Sequence, residues 1–129
     1  KDVVGWVGMK DIKKSDVLDM LNKMGMKDLA EIFNERFDKS VGKKGSFLSG
    51  GQRQVVWVLR ALFGKAKVII LDEPTSALDD ESKTNVRKMI RFLTRKRTLI
   101  IITHDKELLT GMDRVIVFNE GAIQYDKKL

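Results

Sequence analysis

Two stretches decide how this chain reads: Leu48-Ser49-Gly50-Gly51-Gln52-Arg53-Gln54, and Val68-Ile69-Ile70-Leu71-Asp72-Glu73-Pro74-Thr75-Ser76-Ala77-Leu78-Asp79. The first places a serine and two glycines directly before an amphipathic run. Such a helix start leaves backbone N–H groups uncovered, and they bind phosphate well. The second opens with an apolar run too short and too uniform for an amphipathic helix, so residues 68–71 predict a strand buried on both faces. It ends in two acids and the only proline. Acids at the carboxyl end of a parallel strand sit where open α/β sheets bind ligands and metals. A phosphate binder and a metal binder in one unit point to nucleotide chemistry.

Outward from these stretches, helical and extended patterns alternate. After Ser49, the N-cap, Val55, Val56, Leu59 and Leu62 form the apolar stripe of a helix running to about Phe63, closed by Gly64. Asp79 or Asp80 is expected to cap the next helix, with Val86, Met89, Ile90 and Leu93 inward. Residues 98–102 predict a second buried strand, ending at Thr103-His104. A short helix follows, then a strand over 114–118, a turn at Asn119-Glu120-Gly121 and a closing hairpin strand over 122–125. Upstream, Ser15 is expected to cap a helix carrying Val17, Leu18, Met20, Leu21 and Met24, which Gly25 ends. Asp28 is expected to cap a second, carrying Leu29, Ile32, Phe33 and Phe37. Residues 38–47 read as a loop, and Val3-Val4-Gly5-Trp6-Val7-Gly8 as a short extended piece. Strand and helix in alternation imply an α/β fold with a parallel core and an antiparallel tail.

The 129 residues allow one domain or a piece of one, and 43% hydrophobic content suffices for a core. No apolar run approaches the roughly 18–20 residues of a transmembrane helix. There is no signal-peptide pattern and no initiator methionine, so the expectation is a start inside a longer protein. Cysteine is absent, which excludes disulfides and thiolate metal sites and makes a reducing compartment the mild default. The net charge of +7 is spread along the chain, with only short clusters at Arg95-Lys96-Arg97 and Lys127-Lys128. Solvated faces and nucleotide phosphate account for it better than a nucleic-acid or membrane footprint.

In order and spacing, these segments resemble the second half of an ATP-binding cassette (ABC) ATPase. LSGGQ corresponds to the signature motif, VIILDEP to the Walker B strand and SALD to the D-loop, with Thr103-His104-Asp105 where that family has its switch histidine. The resemblance covers roughly residues 15–126, and Val41-Gly42-Lys43-Lys44-Gly45-Ser46-Phe47 is most like exporter-type cassettes. It implies an α/β fold: a P-loop NTPase-like core, a parallel sheet with flanking helices, plus part of the helical subdomain. Residues 1–14 would be an irregular lead-in, 15–63 the helical subdomain and signature helix, and 64–129 the C-terminal part of the ATPase core.

The same resemblance implies roles. Asp72 holds Mg2+ through water. Glu73 orients or deprotonates the attacking water, and His104 contacts the γ-phosphate. Ser49, Gly50, Gly51 and Gln52 face ATP held by the phosphate loop of an opposite subunit. Ser76, Ala77, Leu78 and Asp79 lie along that interface. ATP and Mg2+ are the implied cofactors. The implied partners are a second nucleotide-binding domain, in a two-fold or pseudo-two-fold dimer, and a membrane-spanning domain, fused or separate. The implied location is the cytoplasmic face of a membrane.

Each feature also has a plain structural alternative. Two acids can simply end a strand, Ser-Gly-Gly can simply start a helix, and Asp79 can serve only as a cap. A lone histidine is usually structural, but His104 follows an apolar strand and so emerges at the ligand edge. No second histidine or any cysteine could join it around a metal.

The chain also departs from the family. Val55-Val56-Trp57-Val58-Leu59 replaces a segment that usually carries another arginine and small residues, with Trp57 expected to pack rather than stack on adenine. Asp126 stands where the family often has glycine. The phosphate loop G-x-x-x-x-G-K-[ST] is missing, and the glutamine loop and adenine-stacking aromatic, both expected upstream, have no assignable place in the sequence. The expectation is the C-terminal, Walker A-less half of a cassette, binding ATP poorly and hydrolysing little on its own.

ATP hydrolysis driving transmembrane transport is the leading function. One alternative is a soluble cassette ATPase acting on nucleic acid, but no coiled-coil heptads flank the motifs, and nucleic acid is not the expected partner. Another is a non-enzymatic half-cassette lending its signature face. The intact Asp72, Glu73 and His104 argue against that.

Overall fold

The computed structural model describes residues 12–37, 46–93 and 97–129. The glycine-bearing loop expected before the signature lies largely outside the described residues, as does the extended piece at Val3–Gly8. Among the described residues the order is helix α1 (Lys14–Lys23), α2 (Lys27–Arg36), α3 (Gly50–Phe63), strand β1 (Val68–Asp72), α4 (Asp80–Leu93), β2 (Thr98–Ile102), a 3-10 turn at Lys106–Leu109, β3 (Arg114–Asn119) and β4 (Ala122–Lys128).

The first two helices begin slightly earlier than their side chains suggest. Helix α1 has Lys13, not Ser15, at its N-cap, because Asp16 accepts the Lys13 amide at 3.1 Å. Asp28 lies in the first turn of α2 rather than at its cap, where Met26 stands. The junction between them follows from Gly25, whose φ of +73° is left-handed. There the Met26 amide reaches back to the Leu21 carbonyl at 3.0 Å and the Gly25 amide to Asn22 at 2.9 Å, the double closure of a glycine-ended helix. Ile32 proves 39% exposed, because α2 turns Leu29, Ala30 and Phe33 inward instead.

Helices α3 and α4 pack on each other and supply most of the core. Val55, Val56, Val58, Leu59 and Leu62 face Val86, Met89, Ile90 and Leu93 in one cluster that also takes in Val17, Leu21 and Ile69. Removing such side chains from water contributes about 1.5–3 kcal/mol each. The carbonyls left open at the end of α3, those of Ala61 and Leu62, accept the guanidinium of Arg97.

Strands β1 and β2 run parallel in register, Val68 opposite Thr98 through Asp72 opposite Ile102. Strands β3 and β4 form a separate antiparallel pair with a shift between Val117 and Phe118. Its turn falls at Glu120 and Gly121, both at positive φ, as a tight hairpin requires. The expectation that β1 and β2 are buried on both faces is corrected. One face is covered, through Ile69, Leu71, Leu99 and Ile101. On the other, Val68, Ile70, Ile100 and Ile102 stand 52%, 65%, 48% and 54% exposed. A uniformly apolar strand announces two covered faces, and among the described residues only one has its cover.

Candidate functional site

The parallel pairing of β1 with β2 brings the acids and the histidine to one sheet edge. Asp72 ends β1 opposite Ile102, and the Glu73 amide extends the ladder by donating to the Ile102 carbonyl at 2.8 Å. The chain then turns sharply. The Ser76 amide and hydroxyl both donate to the Glu73 carbonyl, at 3.1 and 2.9 Å. Glu73 and Ala77 take positive φ values of 44° and 56°. For residues other than glycine this conformation costs on the order of 1–3 kcal/mol each, and such strain gathers at functional sites. Glu73 Oε1 lies 3.5 Å from Nε2 of His104, whose ring is almost fully exposed.

Below this pair lies Asp105. One of its oxygens, Oδ2, accepts the Thr75 hydroxyl at 3.0 Å and both Nε and Nη2 of Arg87 at 2.8 Å. Oδ1 accepts the Glu107 amide at 3.1 Å, and the Asp105 amide donates to Thr103 Oγ1 at 2.9 Å. Burial pushes the Asp105 carboxyl up, but bonds from Arg87, Thr75 and the Glu107 amide, with the Arg87 charge, outweigh it and hold the group below the usual carboxylate range. An open cleft of about 550 Å3 lies over these groups, lined by Glu73, Ser76, Lys83, Arg87, His104 and Lys106 among others. Its cations are matched by the acids Glu73, Asp105 and Glu107, the last two paired with Arg87. Neither Asp72 nor the residues 49–52 line it.

The signature segment is built as the sequence reading expects. The Ser49 hydroxyl accepts the Gln52 amide and the Gln52 side chain accepts the Ser49 amide, both at 3.1 Å, a reciprocal helix cap. The two glycines differ. A Cβ on Gly50 would meet nothing within 4 Å, so this backbone is open to an approaching ligand. A Cβ on Gly51 would fall 2.0 Å from Ser82 Oγ. Gly51 is buried against α4, so its lack of a side chain answers a packing need inside the chain; access for phosphate, the reason its sequence suggests, is not what the geometry requires.

Asp79 caps α4, as one of the two aspartates was expected to do. It accepts the Ser82 amide at 2.9 Å and the Ser82 hydroxyl at 2.8 Å. These bonds, the amide first, lower its pKa. Ser82 thus joins the signature to the D-loop segment, and the sequence reading missed it. The Asp-x-x-Ser spacing at a helix start was the available signal. Arg87 was missed as well, and nothing in the local pattern singles it out.

Two departures from the family pattern have concrete outcomes. Trp57 does not pack inward. It is 57% exposed, with the Arg60 guanidinium 5.0 Å from its ring centroid, a cation–π pair on the surface of α3. Asp126 accepts Arg114 in a bidentate pair at 2.7 and 2.5 Å across the hairpin.

The donor set for a metal is spare. Among the described residues no three His, Asp or Glu side chains gather around one point. Asp72 is an exposed carboxylate at a strand end, a hard oxygen ligand that suits Mg2+ when water or phosphate oxygens complete the shell.

A family model for the ABC transporter matches residues 4–76. The chain belongs to the ABC transporter family, with the α/β architecture of its nucleotide-binding domain. It is 38% identical over 113 residues to an ATP-dependent lipid A-core flippase of Neisseria meningitidis, across 88% of this chain and 18% of that protein. A flippase of the same name from Francisella tularensis subsp. holarctica is 33% identical over 114 residues, 88% of this chain and 19% of the relative. The chain therefore spans about a fifth of the length of these relatives. Among solved structures, an ATP-bound bacterial exporter of the Atm1 family matches with a TM-score of 0.71 at 25% identity, over 94% of this chain and 21% of the exporter. A dimeric ATP-binding cassette in a post-hydrolysis state with ADP and Pi matches at 0.55 and 31% identity, over 63% of this chain and 36% of that one. Among the described residues no helix is long and apolar enough to cross a membrane.

Proposed function

We propose that this chain forms the signature and hydrolytic part of an exporter-type ABC ATPase, and that hydrolysis in the complete assembly drives transport across a membrane. The observation that carries this is the meeting of Glu73 and His104, 3.5 Å apart, at the carboxyl edge of the β1–β2 pair. Phosphoryl transfer asks the protein mainly to position groups and to offset charge. Glu73 is placed by its strained turn to orient a water and accept its proton. His104 stands beside it as a donor to a terminal phosphate oxygen. Asp72 would be the protein's ligand to Mg2+, whose part is to offset negative charge on the phosphates. Ser49, Gly50, Gly51 and Gln52 offer a helix start to the ATP of a second nucleotide-binding domain. Ser76, Ala77, Leu78 and Asp79 run along the same interface.

On this reading residues 15–63 belong to the helical subdomain and signature helix, and residues 64–129 to the ATPase core. The bare face of β1 and β2 is where a segment carrying the phosphate loop packs. The membrane-spanning partner, fused or separate, places the ATPase at the cytoplasmic face. The likeness to lipid A-core flippases and to an Atm1-family exporter supports transport over action on nucleic acid.

The test is steady-state ATP hydrolysis by the complete assembly with Glu73→Gln. Loss of a proton acceptor that acts in the transition state lowers kcat by about 100-fold or more, with ATP still bound. Turnover within a few-fold of the parent would remove Glu73 from the reaction.

A further inference from the structure

We propose that Arg87 is a positioning residue for hydrolysis: by gripping the Asp105 carboxylate it fixes His104 against Glu73 and ties both to the helix that the D-loop enters. The proposal rests on the reading of Glu73 and His104 as the hydrolytic pair. A single oxygen, Asp105 Oδ2, receives Arg87 Nε and Nη2 and the Thr75 hydroxyl. Arg87 and Asp105 are 18% and 11% exposed, and Thr75 is buried, so water competes weakly for these bonds. Bonds between ionised partners are the strong ones, and the arginine fork sets their direction.

The residue that carries that oxygen and its two partners belong to different parts of the site. Thr75 lies two residues beyond Glu73, in the turn that closes on the Glu73 carbonyl. Asp105 is the neighbour of His104, and its amide is pinned to Thr103 Oγ1. Arg87 sits on α4, about two turns beyond Asp80. Asp79, at the start of that helix, is the last residue of the D-loop segment. A displacement of Asp79 at an interface would move α4 as a stiff rod and reach Asp105 through Arg87. The second grip of Arg87, Nη1 on Glu107 Oε2 at 2.9 Å, keeps its fork from rotating away. Without the guanidinium the Asp105 carboxylate keeps its burial and loses its strongest partner. It then turns toward water, and the two reaction loops are free to separate.

The experiment compares Arg87→Met and Arg87→Lys with the parent in the complete assembly, counting ATP-binding sites so that turnover is expressed per competent site. Arg87→Met is expected to lower kcat at least tenfold with KM for ATP within threefold, and Arg87→Lys to recover part of the loss. In an Asp105→Asn background, Arg87→Met should add less than a further twofold. A role confined to folding predicts fewer competent sites with kcat per site unchanged, and that result overturns the proposal. A second readout does not depend on turnover. In the complete assembly the His104 ring resonances are identified by NMR as those lost in His104→Gln. They should shift in Arg87→Met. If the parent assembly hydrolyses no ATP, the hydrolytic reading falls, and unmoved His104 resonances in Arg87→Met would then overturn the positional coupling as well.

Discussion

Gly50 and Gly51 are adjacent and chemically identical, yet they answer to different constraints. At Gly50 a methyl group enters open space; at Gly51 it enters the hydroxyl of Ser82, which is already committed to Asp79. Gly51→Ala should therefore destabilise the chain by about 1–3 kcal/mol, as overpacking does. Gly50→Ala should stay within about 0.5 kcal/mol of the parent. Thermal or denaturant unfolding of the two variants checks this. Equal effects would mean that Gly51 is not held against α4. The sequence marks both glycines as part of one motif but does not reveal which serves the ligand and which the packing. That distinction is set by Ser82, thirty-one positions from Gly51 in the chain and brought to it by the α3–α4 contact.

The elements were legible where one local signal decides them. Ser49 with Gln52 three residues on, the stripe from Val55 to Leu62, and Val86, Met89, Ile90 and Leu93 each mark a helix by its cap or its period, and α3 and α4 form on those residues. Ser15 and Asp28 were poor guides to α1 and α2, because a capping residue type inside a first turn looks the same in sequence as one at the cap. The strands were legible as strands, but their burial was not, since the cover of a strand face comes from elsewhere. Ile69→Ala, on the covered face of β1, is expected to cost about 2–5 kcal/mol. Ile70→Ala, 65% exposed, should cost under about 0.5 kcal/mol. Chemical denaturation of the two distinguishes the faces.

The Asp105 hub also has an element-scale signature in pH. Its carboxyl is held below the ordinary value in the folded chain, so the stability it contributes is present above that ordinary value and is lost as pH falls through the folded one. Acidification below about pH 4 should therefore lower the unfolding midpoint, and Asp105→Asn should flatten that dependence. An unchanged acid slope in the variant would show that the hub contributes nothing to it.

At the scale of the whole molecule, the described residues leave two faces open. One is the apolar side of β1 and β2; the other is the signature start, with an open glycine and a reciprocal cap but no phosphate loop in the sequence. On the proposed reading, both are surfaces that further parts of a cassette would cover. The candidate acids and histidine were readable because strand ends bring them together, whereas Arg87 and Ser82 act only through tertiary contacts that no local pattern announces. On its own the chain should take up MgATP weakly, and calorimetric titration at micromolar protein should give no saturable heat.

The central claim is that the helix start at Ser49 and Gly50 engages ATP held by a second nucleotide-binding domain. It is tested most directly by measuring ATP-dependent association of the complete nucleotide-binding domains by light scattering, in Glu73→Gln alone and together with Ser49→Arg. The account predicts that MgATP drives Glu73→Gln into a dimer and that adding Ser49→Arg abolishes association while each domain still binds ATP. Dimers that form equally well with arginine at position 49 would contradict it.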